Sequence, residues 1–511
     1  MITKVKSFGV VGVEGYVVSA EVDIAKGMPS YTLVGLPDTA VKEGKERVHS
    51  AIRNSGIKFP LGRIVINLAP ANTQKTGAIY DLAIAVGILS SAGELKKDTD
   101  DFAFIGELGL NGELKKVNGL LPMLITAVQN KIPCVIIPKA NEHEARFVSG
   151  VKILTAKTLF EVYGYFAENF NNLREVEPLS FAEIKNESHF DADLKYVKGQ
   201  YIAKRALEVA AAGGHNILLI GPPGSGKTML AKCFPTILPD LTFEESIECT
   251  KIHSIAGVLD SKFGIITTRP FRTPHHTASG PALAGGGSNS KPGEISLAHN
   301  GVLFLDEMPE YQRNCLELLR QPLEDNRIVV SRANGSIEYP ASFTLVASMN
   351  PCPCGYYGSR AHKCTCNQTC IQKYMSRLSG PLLDRIDLHI EVDGVSYDDL
   401  STTDLEEPSE NVRARVNKAR TKQLERFSGK DYYSNAKMSA KDVKEFCRLS
   451  PECEQVLKSA FERLKLSARA YTRILKVART IADIDASPEI KKSHIEEAIG
   501  YRALDRLVNN H

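Results

Sequence analysis

The stretch Gly221-Pro222-Pro223-Gly224-Ser225-Gly226-Lys227-Thr228 leaves little freedom in what can surround it. The apolar run Asn216 to Ile220 precedes it, and a helix-compatible run, Met229 to Phe234, follows. The order is strand, glycine-rich turn, helix. Glycines in such a turn let successive backbone N–H groups curl around phosphate oxygens. The helix that begins there adds the positive end of its dipole. Residues Gly221 to Thr228, with Met229 next to them, are therefore expected to cradle a nucleoside triphosphate. Lys227 is placed for the β- and γ-phosphates, and the Thr228 hydroxyl for Mg²⁺.

At 511 residues the chain has room for two to four domains. Its 43% hydrophobic and 24% charged content is that of an ordinary soluble protein. A formal charge of +3 permits a local basic patch without arguing for one. The first residues carry lysines and no long apolar core, and no apolar run approaches about 18 residues. No signal peptide and no membrane span are expected. The 11 cysteines are too unevenly spread for a disulfide scaffold, which fits a reducing cytoplasm.

Residues 1–166 read as a mixed α/β domain. Strands are expected at Val10–Val13, Tyr16–Val22, Arg63–Leu68, Phe102–Leu108 and Cys134–Ile137, with helices at Asp38–Ser55, Tyr80–Ser91 and Leu120–Asn130. Periodicity fades over 167–195, which reads as a linker. A nucleotide-binding core is expected over 196–395, opened by a helix at Val197–Ala212, and a helical lid over 396–511.

Within the core, Gly301-Val302-Leu303-Phe304-Leu305-Asp306-Glu307 is an apolar strand ending in two carboxylates. Downstream of a phosphate-binding loop, Asp306 is expected to hold Mg²⁺ through water and Glu307 to polarise the attacking water. The strand Ser342–Ser348 ends near Asn350, which can touch the γ-phosphate or simply open the turn before Pro351. The segment Arg269–Gly280, continued by Leu283–Gly287, is too rich in Gly and Pro to be a helix. Its His275 and His276 could be metal ligands or a base, but are read as hydrogen-bonded structural residues. Asn326–Pro340 reads as a hairpin. Five cysteines lie between Cys352 and Cys370. Cys352, Cys354, Cys364 and Cys366 are the expected ligands of a structural Zn²⁺, with Cys370 as a substitute. Tyr356, Tyr357, Arg360 and Lys363 in that loop suit nucleic-acid contact. The basic helix Asn411–Phe427 is either a solvated face or a strip facing the pore or a partner subunit. Ser493 is expected to cap the last helix, with Glu496 three residues on.

Several of these motifs carry resemblances. Asn67-Leu68-Ala69-Pro70, Lys75-Thr76-Gly77, Ile105-Gly106-Glu107-Leu108 and Ile136 to Glu142 resemble the proteolytic domain of Lon-type proteases. That implies an α+β fold of the ribosomal S5 domain 2-like kind. The serine and lysine positions of Lon align with Ile79 and Leu121, so proteolysis is not expected. The core and lid resemble AAA+ ATPases, and the segment Arg269–Gly287 and the hairpin Asn326–Pro340 resemble the two insertions that mark the magnesium-chelatase and MCM branch. Lys198-Gly199-Gln200 resembles the segment near adenine. Asn350 resembles the first sensor, and Arg385 the arginine finger offered to a neighbouring subunit. Arg469, or Arg473 one turn on, resembles the second sensor, which reaches back over the γ-phosphate. The string Phe271-Arg272-Thr273-Pro274-His275-His276-Thr277 resembles the ComM/YifB family. Membership would imply a hexameric ATPase acting on single-stranded or branched DNA, in branch migration during natural transformation, with recombination proteins as partners. Two rival readings are a magnesium-chelatase-like motor and a Lon-like remodelling ATPase, both acting on a protein.

Overall fold

The structure, a computed structural model, describes residues 2–168, 170–185, 192–260, 262–287, 291–332, 335–359, 362–394, 405–430, 432–464 and 466–502. Two sheets organise these residues.

The first sheet has eight strands: β1 (Thr3–Val11), β2 (Glu14–Ala25), β3 (Ser30–Val34), β4 (Arg63–Ala69), β5 (Phe102–Phe104), β8 (Cys134–Pro138), β9 (Lys152–Ala156) and β10 (Arg174–Glu175). Their spatial order is β10-β9-β8-β5-β1-β2-β4-β3. β1, β2 and β4 are antiparallel neighbours, whereas β5, β8 and β9 run parallel to β1. β1 begins at Thr3, well before the Val10 start read from sequence. Lys4 and Lys6 hide it: they alternate outward while Val5 and Ser7 point into the core. Lys4 pairs with Glu21 across the ladder at 3.3 Å. β3, not anticipated at all, is an edge strand whose half-exposed residues leave little apolar signal. Helix Thr39–Asn54 starts where Asp38 accepts the Val41 N–H at 2.8 Å. Inside the stretch read as linker, β10 extends the sheet edge and Phe181–Lys185 is a short helix. The pair β6 (Glu107–Leu108) and β7 (Leu114–Lys115) splits the single strand expected over Phe102–Leu108.

The second sheet is all parallel: β11 (Ile217–Ile220), β12 (Phe271–Arg272), β15 (Val302–Leu305), β18 (Thr344–Met349) and β19 (Leu388–Glu391), in the order β12-β15-β18-β11-β19. β11 and β15 are apolar throughout because both faces of the sheet are covered. Ile217, Leu219, Phe304 and Val346 face helices Tyr201–Gly213 and Lys227–Ile237 and the C-terminal helices. Leu218, Ile220, Leu303 and Leu345 face Leu316, Tyr339, Phe343 and Leu382. The hairpin β16 (Arg327–Arg332) and β17 (Gly335–Pro340) pairs Ile328 with Tyr339 and Val330 with Ile337, as the sequence predicts. Its turn residues 333 and 334 lie outside the described residues.

Three expectations are corrected here. The Gly/Pro-rich segment is not wholly irregular. Phe271 and Arg272 form the edge strand of the core sheet, and Gly280–Ala284 is a short helix capped by Ser279. Pro281 lies in that helix's first turn, where a missing N–H costs nothing. The strands β13 (Gly285–Gly286) and β14 (Lys291–Pro292) close the segment. The last helix begins at Lys492, and the Lys491 N–H donates to His494 Nδ1 at 3.0 Å, so Ser493 lies inside the helix and does not cap it. The first core helix starts at Tyr201 rather than Val197, because Gln200 sits at φ +56.

Helices Ser409–Arg426, Ala440–Phe446, Pro451–Leu464, Ala468–Ile484 and Lys492–Gly500 pack on the sheet's first face. The amino-terminal body rests on helix Phe243–Ala256. The Gly119 N–H donates to Ser254 Oγ at 3.0 Å, and the Ser254 hydroxyl donates to the buried Glu144 carboxylate. No helix among the described residues is long and apolar enough to cross a membrane.

Candidate active site

Parallel strands place their carboxyl ends together, and here three of those ends meet. β11 runs into Gly221–Thr228, β15 into Asp306 and Glu307, and β18 into Asn350. Gly224 and Gly226 hold φ of +77 and +87, which requires glycine and lets the loop turn its amides inward. Pro223, Gly224, Thr228 and Met229 are exposed at the rim, whereas Ser225 and Lys227 are buried. Pro222 is half-buried.

Lys227 Nζ donates to the carbonyls of Gly221 and Pro222, both at 2.8 Å, and to Asn350 Oδ1 at 3.3 Å. Burial lowers its pKa, while the carboxylates of Asp306 and Glu307 pull the other way. Thr228 Oγ1 donates to Asp306 Oδ2 at 2.9 Å. A hydroxyl and a carboxylate side by side form the hard oxygen set that Mg²⁺ prefers.

Glu307 adopts φ +50, a left-handed conformation that costs a non-glycine residue about 1–2 kcal/mol. Its N–H is held by Ser348 Oγ and Asp306 Oδ1, both at 3.2 Å. Ser348 also donates to Asp306 Oδ1. Ser348 thus orders both acids, and sequence reading passed over it. The available signal was a small polar residue at the end of the apolar run Leu345-Val346-Ala347. Glu307 and Asn350 line one cavity of about 530 Å³ together with Glu310, Lys373, Tyr374 and Arg377. Arg377, also missed, pairs with Glu310 at 2.8 Å. Gln200 ties the loop to the chain beyond β19, donating to Ser225 O at 3.3 Å and Asp393 O at 2.6 Å.

The arginines lie elsewhere. Arg385 pairs with Glu324, not with the neighbouring Asp384 or Asp387. Arg469 reaches Asp384 at 3.6 Å, and Arg473 pairs with Asp387. All three arginines line one pocket of about 430 Å³ with Asn216 and Lys476. Asn216 opens β11, so this pocket lies at the amino end of the sheet, one strand length from the phosphate loop. Arg469 is therefore not folded back over the loop of its own chain. Beneath the pocket, burial by itself would raise the pKa of Asp387, but Arg473 and His215 hold it well below the usual carboxylate range. His215 bridges Asp387 Oδ2 at 3.2 Å and Thr480 Oγ1 at 2.8 Å.

The sulfurs of Cys352, Cys354, Cys364 and Cys366 lie within 4.8 Å of one another, an arrangement compatible with a zinc ion. Cys370 is outside the group, exposed in helix Gln368–Met375. Arg360 of this loop lies outside the described residues. His275 Nδ1 meets Thr277 Oγ1 at 2.8 Å, consistent with a structural role. In the basic helix, Lys418 is exposed, while two of the arginines are held within the chain. Arg415 pairs with Glu208 and Glu407, and Arg426 grips the buried Asp483.

A parallel sheet with these strand ends and a helical lid defines an AAA+ fold of the magnesium-chelatase kind. Family models agree: residues 193–400 match magnesium chelatase, subunit ChlI, residues 406–502 its C-terminal part, and residues 20–141 subunit ChlI of Mg-chelatase. Over 505 residues, 97% of this chain and 96% of the other, the sequence is 46% identical to competence protein ComM of Haemophilus influenzae. It is 45% identical over 499 residues, with the same coverage, to the uncharacterized protein YifB of Escherichia coli. The chain belongs to the ComM/YifB family of magnesium-chelatase-like proteins. A partial likeness links it to Lon protease 2 of Bacillus subtilis, 25% identical over 182 residues, 34% of this chain and 32% of that one.

Proposed function

We propose that the chain is an ATP-hydrolysing, ring-forming DNA motor that drives branch migration of recombination intermediates. The observation that carries the hydrolytic part is the convergence of Lys227, Thr228, Asp306, Glu307 and Asn350 at the carboxyl end of the sheet, with the candidate finger Arg385 at its amino end. Residues Gly221 to Thr228, with Met229, would bind the nucleotide phosphates. Thr228 and Asp306 would hold Mg²⁺, whose bound charge would offset that of the phosphates. Glu307 would take the proton of the attacking water, and Asn350 would orient that water while steadying Lys227. Arg385 would enter a neighbouring subunit's site and stabilise charge on the transferred phosphoryl group. Arg469 shares its pocket and would go with it, a change from a second sensor acting within its own chain. A site split in this way calls for a homo-oligomer, and the family resemblance makes it a hexamer.

The DNA part rests on the relation to a competence protein, since competence is the uptake of DNA. It does not rest on the basic helix, where Arg415 and Arg426 are paired with the buried acids Glu208 and Asp483. In this reading residues 1–166 keep a Lon-protease-like fold without its chemistry and dock the core or a recombination partner. Ile79 and Leu121, the aligned serine and lysine positions, are apolar, and Leu121 is buried. Residues 196–395 and 396–511 would then be the motor core and its lid, joined to the front end through 167–195. The four-thiol cluster would take a zinc ion.

ATP turnover measured with and without branched or single-stranded DNA, over a salt series, tests this. A DNA motor is stimulated, and its DNA binding weakens steeply as salt rises, because phosphate contacts release counterions. Lack of stimulation by any DNA would favour the alternative, a magnesium-chelatase-like or Lon-like ATPase that remodels a protein partner.

A further inference from the structure

The cysteine loop touches the catalytic edge, and three observations give that contact a purpose. The first is the sulfur geometry. Cys352 and Cys354 Sγ are 3.3 Å apart, Cys352 and Cys364 3.7 Å, and Cys354 and Cys364 3.6 Å. A disulfide needs about 2.05 Å. Four sulfurs about 2.3 Å from a tetrahedral zinc stand roughly 3.8 Å from one another. Backbone N–H groups already point at two of them: Tyr357 N to Cys352 Sγ at 3.3 Å, and Cys366 N to Cys364 Sγ at 3.4 Å. Such donors steady thiolate charge around a metal.

The second is the poverty of the loop. Among the described residues, no apolar side chain between Pro353 and Asn367 is buried. Among the described residues the stretch has only half-buried rings such as Tyr356 and Tyr357 to hold it, and a metal can supply further folding free energy.

The third is where the loop lies. It starts two residues after Asn350, which accepts a hydrogen bond from Lys227. Gly355, at φ +85, lies so close to Pro223 of the phosphate loop that a Cβ there would sit 2.5 Å from the proline Cδ. Pro353 and Cys370 share the cavity of Glu307 and Asn350. The loop therefore forms one wall of the nucleotide site.

We propose that Cys352, Cys354, Cys364 and Cys366 bind one Zn²⁺, and that this ion pins the segment from Asn350 to Tyr374 against Pro223, making nucleotide turnover depend on the metal. The coupling rests on the reading of this edge as an ATPase site. The metal site itself does not.

The test uses the full chain grown with zinc, its cobalt-exchanged form, and the variant Cys364→Ser/Cys366→Ser, which spares the buried Cys352. The account expects about one zinc per chain, and the visible absorption of tetrahedral cobalt thiolate on exchange. Chelation should lower ATP turnover by about tenfold or more and weaken binding of a fluorescent ATP analogue. Added zinc should restore the wild-type chain but not the variant. A chain without stoichiometric zinc and without the cobalt signature overturns the site. Bound zinc whose removal changes neither turnover nor analogue affinity overturns the coupling and leaves the site standing. A zinc-loaded chain that hydrolyses no ATP strikes the ATPase reading instead, and analogue affinity then decides the coupling.

Discussion

The two ends of the five-stranded sheet differ in what their charges do. At the carboxyl end, Lys227 is bonded to backbone carbonyls and Asn350, and Glu307 faces a cavity. At the amino end, Arg385, Arg469 and Arg473 crowd a second pocket, each beside an acid: Glu324, Asp384 and Asp387. The carboxyl end has the phosphate cradle with Asp306 and Glu307, and an arginine, Arg377, tied to Glu310; the amino end has Arg385, Arg469 and Arg473. In this chain the length of a strand separates Arg385, Arg469 and Arg473 from the cradle. That division is the physical case for a site completed between subunits.

The largest expected effect is Arg385→Ala, which should lower kcat of the assembled protein by about 10³- to 10⁵-fold while nucleotide binding persists. Glu324→Gln sharpens it. A finger released from its resting partner keeps or raises turnover, whereas an Arg385 that serves only its own chain loses turnover in both variants. Glu307→Gln should cost about 10²- to 10⁴-fold in kcat with ATP affinity retained, read from single-turnover hydrolysis against analogue binding.

Asp387→Asn should act on stability rather than chemistry. It takes away the buried carboxylate that Arg473 and His215 hold and leaves the half-buried Arg473 without its ion partner, at a cost of about 1.5–3 kcal/mol in chemical denaturation. The pH dependence follows from the lowered pKa. The stabilisation from Asp387 is fully present above its unfolded value of about 3.9 and is lost as pH falls toward its depressed folded value. In the variant, the acid limb of the stability curve should flatten. Ser348→Ala has the smallest expected effect, about tenfold in kcat, because it loosens Asp306 and Glu307 without removing either.

The two ends were not equally legible in the sequence. The phosphate loop is one continuous run in which strand, turn and helix explain each other. Asp306 and Glu307 close an apolar strand and gain meaning from that loop. The four cysteines declared themselves by proximity. The arginine pocket could not be read this way. Arg385 and Arg469 come from distant segments, and only the packing of helix Ala468–Ile484 at the strand origins brings them together. The partners of two basic-helix arginines were hidden for the same reason: Glu208, beside Arg415, and Asp483, beside Arg426, are remote in sequence. In the amino-terminal sheet, the outward lysines of β1 masked a buried strand, and β3 was too exposed to show an alternating pattern.

The shared site is tested most directly by mixing two inactive variants, Lys227→Ala and Arg385→Ala. Each mixed interface that pairs an intact loop with an intact arginine should work. Random equimolar assembly should then recover about a quarter of wild-type ATP turnover. Recovery near that level supports a site built from two subunits. Absence of recovery at every mixing ratio, with mixed oligomers shown to form, would contradict it.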